Sequence, residues 1–123
     1  MNGRNILADT NIGMYILNGN EVVSTYTEDH FYVSDITEIE LLGKKDIGAF
    51  EYQLRNDFLD NCVIVDLNEL IKKITIKLKQ KYIIKTPDAV IAASAIYLNL
   101  PLVTADKGFK KIQEIDLQLL ELK

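Results

Sequence analysis

The chain has 123 residues, 48% of them apolar, a formal charge of -4 and a pI near 4.9. That length supplies one domain with a real core and is too short for two. The acidic balance excludes a protein that grips nucleic acid by bulk electrostatics. No apolar run approaches the roughly 18 residues of a membrane span and the first residues are polar, so the expectation is a cytoplasmic protein without leader or anchor. Cys62 stands alone inside Cys62-Val63-Ile64-Val65, which rules out a disulfide framework or a thiolate zinc site and reads as a small buried hydrophobe.

The first element is Asn5-Ile6-Leu7-Ala8, a short apolar run ended abruptly by Asp9-Thr10-Asn11. This reads as a buried strand that delivers a carboxylate into a strand-to-helix turn. Ile12, Met14, Tyr15, Ile16 and Leu17 then predict a short helix stopped at Asn18-Gly19-Asn20, where Gly is free to take positive φ. Residues 21 to 30 read as polar and irregular or weakly helical, with His30 a solvent-facing loop residue. Phe31-Tyr32-Val33 is the second strand. Ser34-Asp35 opens the second helix, in which Asp35 and Glu38 have capping-box spacing. Glu40 has no such task and falls at the margin of the buried stripe.

From Asp46 to Asp60, the recurrence of Ile47, Phe50, Leu54 and Phe58 predicts an amphipathic helix with those residues on its packed face. Cys62 to Val65 form the third strand. Asp66 and Glu69 read as a second capping box, opening a helix whose apolar set is Leu67, Leu70, Ile71, Ile74, Leu78 and Tyr82 and whose other face carries lysines. Thr86-Pro87-Asp88 is a helix start with Thr as the cap, and the nearly uncharged run Ala89 to Leu98 predicts a helix lying against the sheet. Asp88 shares a face with Ile91, Ala92 and Ala95, which turns its carboxylate toward the edge of the core. Asn99-Leu100-Pro101 ends that helix. Leu102-Val103-Thr104 is the fourth strand, Asp106 caps a turn over Lys107 to Ile112, and Leu117 to Leu122 make the last strand.

Strands alternating with helices imply a mainly parallel sheet with helices on both faces. In such sheets ligands gather beyond the carboxyl ends of the strands, where the strand order reverses. Asp9 and Asp106 follow strand carboxyl ends, and Asp88 opens a helix on the same side. Taken singly these acids are N-caps or first-turn residues. Four carboxylates on one rim, with no base encoded beside each, oppose one another's ionisation, and a divalent cation relieves that. Oxygen-only ligands suit Mg2+ or Mn2+, which leaves coordination positions for water and a phosphate. Such an arrangement suits phosphodiester hydrolysis.

Asp9-Thr10-Asn11, Ser34 to Gly43, Pro87-Asp88-Ala89-Val90-Ile91-Ala92-Ala93-Ser94-Ala95 and Leu102 to Phe109 resemble the successive motifs of PIN-domain nucleases. With the length, they look most like the VapC-type toxins of prokaryotic toxin-antitoxin pairs, and the likeness runs essentially end to end. It implies a three-layer α/β fold with a five-stranded sheet in the order 3-2-1-4-5. It implies Asp9, Glu40, Asp88 and Asp106 as the acidic metal-binding set, with Asn11 and Thr104 in support. The implied activity is Mg2+- or Mn2+-dependent cleavage of RNA by a homodimer held inactive by a cognate antitoxin. Gly13, Met14 and Ala105 depart from the family pattern. Lys44, Lys45, Lys85, Lys107 and Lys111 are candidates to ring the groove and meet RNA phosphates. The rival reading is a phosphoacceptor signalling domain with Asp66 as the phosphorylated residue and Thr104 nearby, which leaves Glu40 and Asp88 unexplained.

Overall fold

The computed structural model describes residues 3–19, 26 and 28–121. Its strands are β1 (Asn5–Ala8), β2 (His30–Ser34), β3 (Val63–Val65), β4 (Leu102–Thr104) and β5 (Leu117–Leu119), and its helices are α1 (Thr10–Leu17), α2 (Asp35–Leu42), α3 (Ala49–Asp60), α4 (Glu69–Lys81) and α5 (Thr86–Leu98), with a 3-10 turn at Lys107–Lys111. The strands form one sheet in the order β3-β2-β1-β4-β5, every pairing parallel. The order reverses between β1 and β4, where Ala8 pairs with Val103. Residues along a strand alternate between faces. Leu7 and Leu102 therefore join the core beneath α4 and α5, while Ile6, Ala8 and Val103 join that beneath α1, α2 and α3. Three layers result, as the alternation of elements implies.

Helix α5 is the most enclosed of the helices, with Ala89 through Ala95 all buried. Its small side chains let the helix lie close to the sheet, and Asn99 ends it in the left-handed conformation at φ 55. Gly19 likewise takes φ 67 after α1. A Cβ at Gly13 would come within 3.0 Å of the Phe58 ring, so this departure from an aliphatic run lets α1 pack closely on α3.

Several local expectations are corrected. Ser34, not Asp35, caps α2, accepting from the Ile36 amide at 3.0 Å, so Asp35 and Glu38 form no capping box. Asp35 instead accepts from the Leu67 amide. Helix α4 is capped by Asn68, whose Oδ1 accepts from the Ile71 amide at 2.8 Å. Asp66 is left exposed in the preceding turn, and Leu67 and Leu70 are also exposed, because the later start moves the buried stripe to Ile71, Thr75 and Leu78. Lys85, without a side-chain bond, takes the cap position expected of Thr86. His30 is exposed but opens β2, Cys62 precedes β3, and β5 stops at Leu119. Most of the segment expected to be irregular, 20–25 and 27, lies outside the described residues.

Helix α3 buries a different face from the one the spacing suggests. Phe50 is 79% exposed and Leu54 also faces outward, while Arg55 and Leu59 are buried. Arg55 Nη1 donates to the Leu41 carbonyl at 2.7 Å and Nη2 to Glu51 Oε1 at 2.7 Å, an oxygen that Lys44 Nζ also meets at 2.9 Å. Leu41 directly follows Glu40, so this bond anchors the end of α2 that carries the acid. Arg55→Leu should leave the Leu41 carbonyl buried without a donor and cost about 1–3 kcal/mol. Urea unfolding at fixed pH measures that loss, and a variant as stable as the wild type would contradict the anchoring role.

Candidate active site

Because all strands are parallel, their carboxyl ends open on one side of the sheet, and the first turns of the following helices stand there. Asp9 leaves β1 as the N-cap of α1. Its Oδ1 accepts from the Thr10 amide at 2.7 Å, its Oδ2 accepts from the Thr104 hydroxyl at 2.8 Å, and its own amide donates to the Val103 carbonyl at 3.0 Å. Thr104, the last residue of β4, in turn accepts from the Asp106 amide at 3.0 Å. The threonine hydroxyl is thus fixed as a donor to Asp9, and each Asp9 oxygen keeps acceptor capacity to spare.

Glu40 reaches the same rim from α2, as its sequence position requires. Its Oε1 accepts from the Thr10 hydroxyl at 2.6 Å. A carboxylate has no proton to give, so Thr10 donates to Glu40, and the 3.0 Å contact between the Thr10 and Thr37 hydroxyls must run from Thr37 to Thr10. Thr10 and Thr37 were not among the sequence candidates. Their signal was available: Thr37 lies one turn before Glu40 on the same face of α2 and would be a polar residue on a buried stripe, and Thr10 directly follows Asp9.

Asp88 and Asp106 complete the cluster. Burial holds the Asp9 carboxyl above its ordinary value of 3.8, outweighing the two hydrogen bonds that favour its charge, and the charges of Asp88 and Asp106 push the same way. Burial also raises the Asp88 pKa, as do Asp106 and Glu40, against the opposing pull of Lys85 and Lys111. The four acids therefore share one electrostatic neighbourhood. Asp106 also caps the 3-10 turn, accepting from the Gly108 amide at 2.8 Å, so its structural and site positions coincide.

The donor set is all oxygen and fits a hard divalent cation. Among the described residues no three acidic, histidine or cysteine side chains are close enough together to hold a metal ion. Mg2+ retains several waters and needs only one or two direct carboxylates, so a looser arrangement of acids still suits it.

The remaining candidates are placed less uniformly. Asn11 is exposed on the first turn of α1, with no side-chain bond among those described. Lys85 and Lys111 stand by Asp88, whereas Lys44 is paired with Glu51 on α3. Lys45 is exposed after α2, and Lys107 is exposed at the start of the 3-10 turn. Asp66 follows the edge strand β3, and β2 and β1 lie between that strand and the one bearing Thr104. The phosphoacceptor reading, which needs those two residues together, is thereby corrected.

The PIN domain family model matches residues 6–115. Among solved structures, the chain is similar to a toxin-antitoxin complex from Klebsiella pneumoniae, with 29% identity over 89% of this chain and 94% of that chain and a TM-score of 0.77. It is similar to VapBC2 from Rickettsia felis bound to a DNA fragment from their promoter, with 25% identity over 95% and 99% and a TM-score of 0.74. DNA-bound VapBC from Salmonella typhimurium shares the fold, at 22% identity over 96% and 98% and a TM-score of 0.77. No curated protein sequence matches.

The carboxyl shifts carry a definite sign. With folded pKa values above 3.8, Asp9 and Asp88 hold more protons in the native state than in the unfolded chain. Their contribution to stability is thus greatest below that value and declines as pH rises through the folded pKa. In metal-free buffer, Asp88→Asn should gain stability relative to wild type as pH rises above 3.8. Carboxyl NMR titration should also find Asp9 titrating above 3.8, and higher again in Thr104→Val, which lacks the donor to Oδ2. An Asp9 titration at or below the ordinary value would contradict this geometry.

Proposed function

The chain belongs to the PIN domain family, and on that premise we propose that it is a metal-dependent endoribonuclease, the toxin of a VapBC-type pair. PIN domains are nucleases, so the reaction class is hydrolysis of nucleic acid. RNA as the substrate follows from the resemblance of the four motifs to VapC-type toxins. The similarity to toxin-antitoxin complexes supports a cognate antitoxin as the protein partner. On the same resemblance the chain acts as a homodimer in the cytoplasm.

The observation that carries this reading is the convergence of Asp9, Glu40, Asp88 and Asp106, with the Asp9 and Asp88 carboxyls resisting ionisation. Asp9, Asp88 and Asp106, with Glu40 beside them, would hold Mg2+ or Mn2+. When bound, such an ion supplies an activated water and neutralises charge on the phosphoryl group. Thr104 holds Asp9 in place, and Thr10, backed by Thr37, does the same for Glu40. Preset side chains of this kind reduce the reorganisation left for the reaction step. Asn11, at the mouth of α1, lies on the side from which substrate approaches. Lys85 and Lys111 provide positive charge beside Asp88, and on this reading they meet, with Lys107, Lys44 and Lys45, the RNA backbone that the net charge of -4 would otherwise repel.

Incubation with a mixed RNA pool and Mn2+ should give cleavage that EDTA abolishes and that falls by at least about a hundredfold in Asp9→Asn and Asp88→Asn. A matched DNA pool serves as the comparison. Equal cleavage by all three proteins would contradict the assignment. The salt dependence of RNA binding gives a separate check. Replacing Lys85 and Lys107 by Ala should flatten the log-log slope by about 0.7 for each phosphate no longer neutralised, and an unchanged slope would remove those lysines from the interface.

A further inference from the structure

A cavity of about 440 Å³ opens beside the acids, between the turn that precedes α5 and the 3-10 turn, with Asp88 and Asp106 in its wall. Its size lies within the ~300–1,000 Å³ range of small-molecule clefts. Ile83 stands at its mouth and is 93% exposed, more than any other large apolar side chain among the described residues. A single exposed isoleucine is ordinary by itself. Here, however, the backbone beneath it is fastened from both sides. Lys111 Nζ donates to the Ile83 carbonyl, and Lys79 Nζ to the Ile84 carbonyl at 3.0 Å. The neighbouring Tyr82 hydroxyl donates to Glu114 at 2.6 Å and accepts from the Gln113 amide at 3.2 Å. The apolar side chain is therefore presented on a fixed support, which lowers the ordering cost of a contact made through it.

We propose that this cavity is the subsite for the nucleotide next to the scissile phosphate, with Ile83 packing on the base or sugar and Lys85 meeting the phosphate. The inference rests on the nuclease reading and adds Ile83 to the acids and lysines assigned there. A nucleotide carries an apolar face and an anion side by side, and its complement here sets an aliphatic side chain beside a cation, Ile83 with Lys85. The contact is aliphatic and supplies no hydrogen-bonding group of its own, so it accepts any base. Ile83 thus governs how tightly RNA is held and leaves base preference alone.

The test uses the full chain with Mg2+ and protein labelled with 13C at the isoleucine δ1 methyls. Mixed-sequence 5′-phosphorylated dinucleotides are titrated in, and the mixed RNA pool is used for kinetics. The Ile83 methyl should shift, while that of Ile76, exposed on α4, should stay still. Ile83→Asp should raise KM about tenfold with kcat changed less than about twofold and an unchanged melting temperature, and Ile83→Leu should restore KM. Wild-type cleavage of RNA with a static Ile83 methyl, or with an unaltered KM in Ile83→Asp, would overturn the subsite and leave the nuclease reading standing. Failure of the wild type to cleave or bind RNA would overturn both. A shift caused by a short arginine-containing apolar peptide but not by the dinucleotides would assign the cavity to a protein partner and overturn the proposal.

Discussion

The parallel pairing of β1 with β4 at the reversal of strand order is the constraint on which the site depends. The pairing of Ala8 with Val103 and the bond from the Asp9 amide to the Val103 carbonyl set Asp9 beside Thr104, although they are 95 positions apart in the chain. Asp106 lies two residues beyond the same strand end, and α5 brings Asp88 to it. A slip of one residue in this pairing would turn the inward side chains outward and separate Asp9 from Thr104. Core packing enforces the register, since Leu7 and Leu102 serve one face while Ile6, Ala8 and Val103 serve the other.

Within that frame, threonine hydroxyls position two of the acids. Thr104 points at Asp9 because the Asp106 amide occupies its acceptor side, and Thr10 points at Glu40 because Thr37 donates to it. These neutral donors fix the carboxylates without cancelling their charge, as lysine or arginine would. Positive charge is instead held at the edge, where Lys85 and Lys111 temper Asp88. The result is a cluster whose full ionisation is opposed by burial and mutual repulsion, the electrostatic condition that a bound divalent ion would relieve.

The elements that shape this cluster were legible because their signals are strong and local. A three-residue apolar run ending in Asp-Thr-Asn leaves little choice but a buried strand and a turn, and an uncharged run after Thr-Pro-Asp leaves little but a buried helix. The amphipathic helices were less legible. Spacing shows that Phe50 and Leu54 share a face of α3, but not that Arg55 and Leu59 would be buried in their place, since that choice belongs to the Leu41 carbonyl on another helix. The caps failed for a related reason. Asp66 and Asn68 both suit an N-cap, and the alignment of Ile71, Thr75 and Leu78 with the core selects Asn68. Thr10 and Thr37 gain meaning only when α1 and α2 meet, which no single stretch of sequence encodes.

The central claim is that the four acids act together to hold a cation, and direct measurement of Mn2+ binding by electron paramagnetic resonance tests it apart from any cleavage. The account requires the wild type to take up Mn2+, Asp9→Asn combined with Asp106→Asn to lose it, and Asp66→Asn, altered at an exposed acid far along the sheet, to bind as the wild type does. Equal Mn2+ uptake by the wild type and the double variant would contradict it.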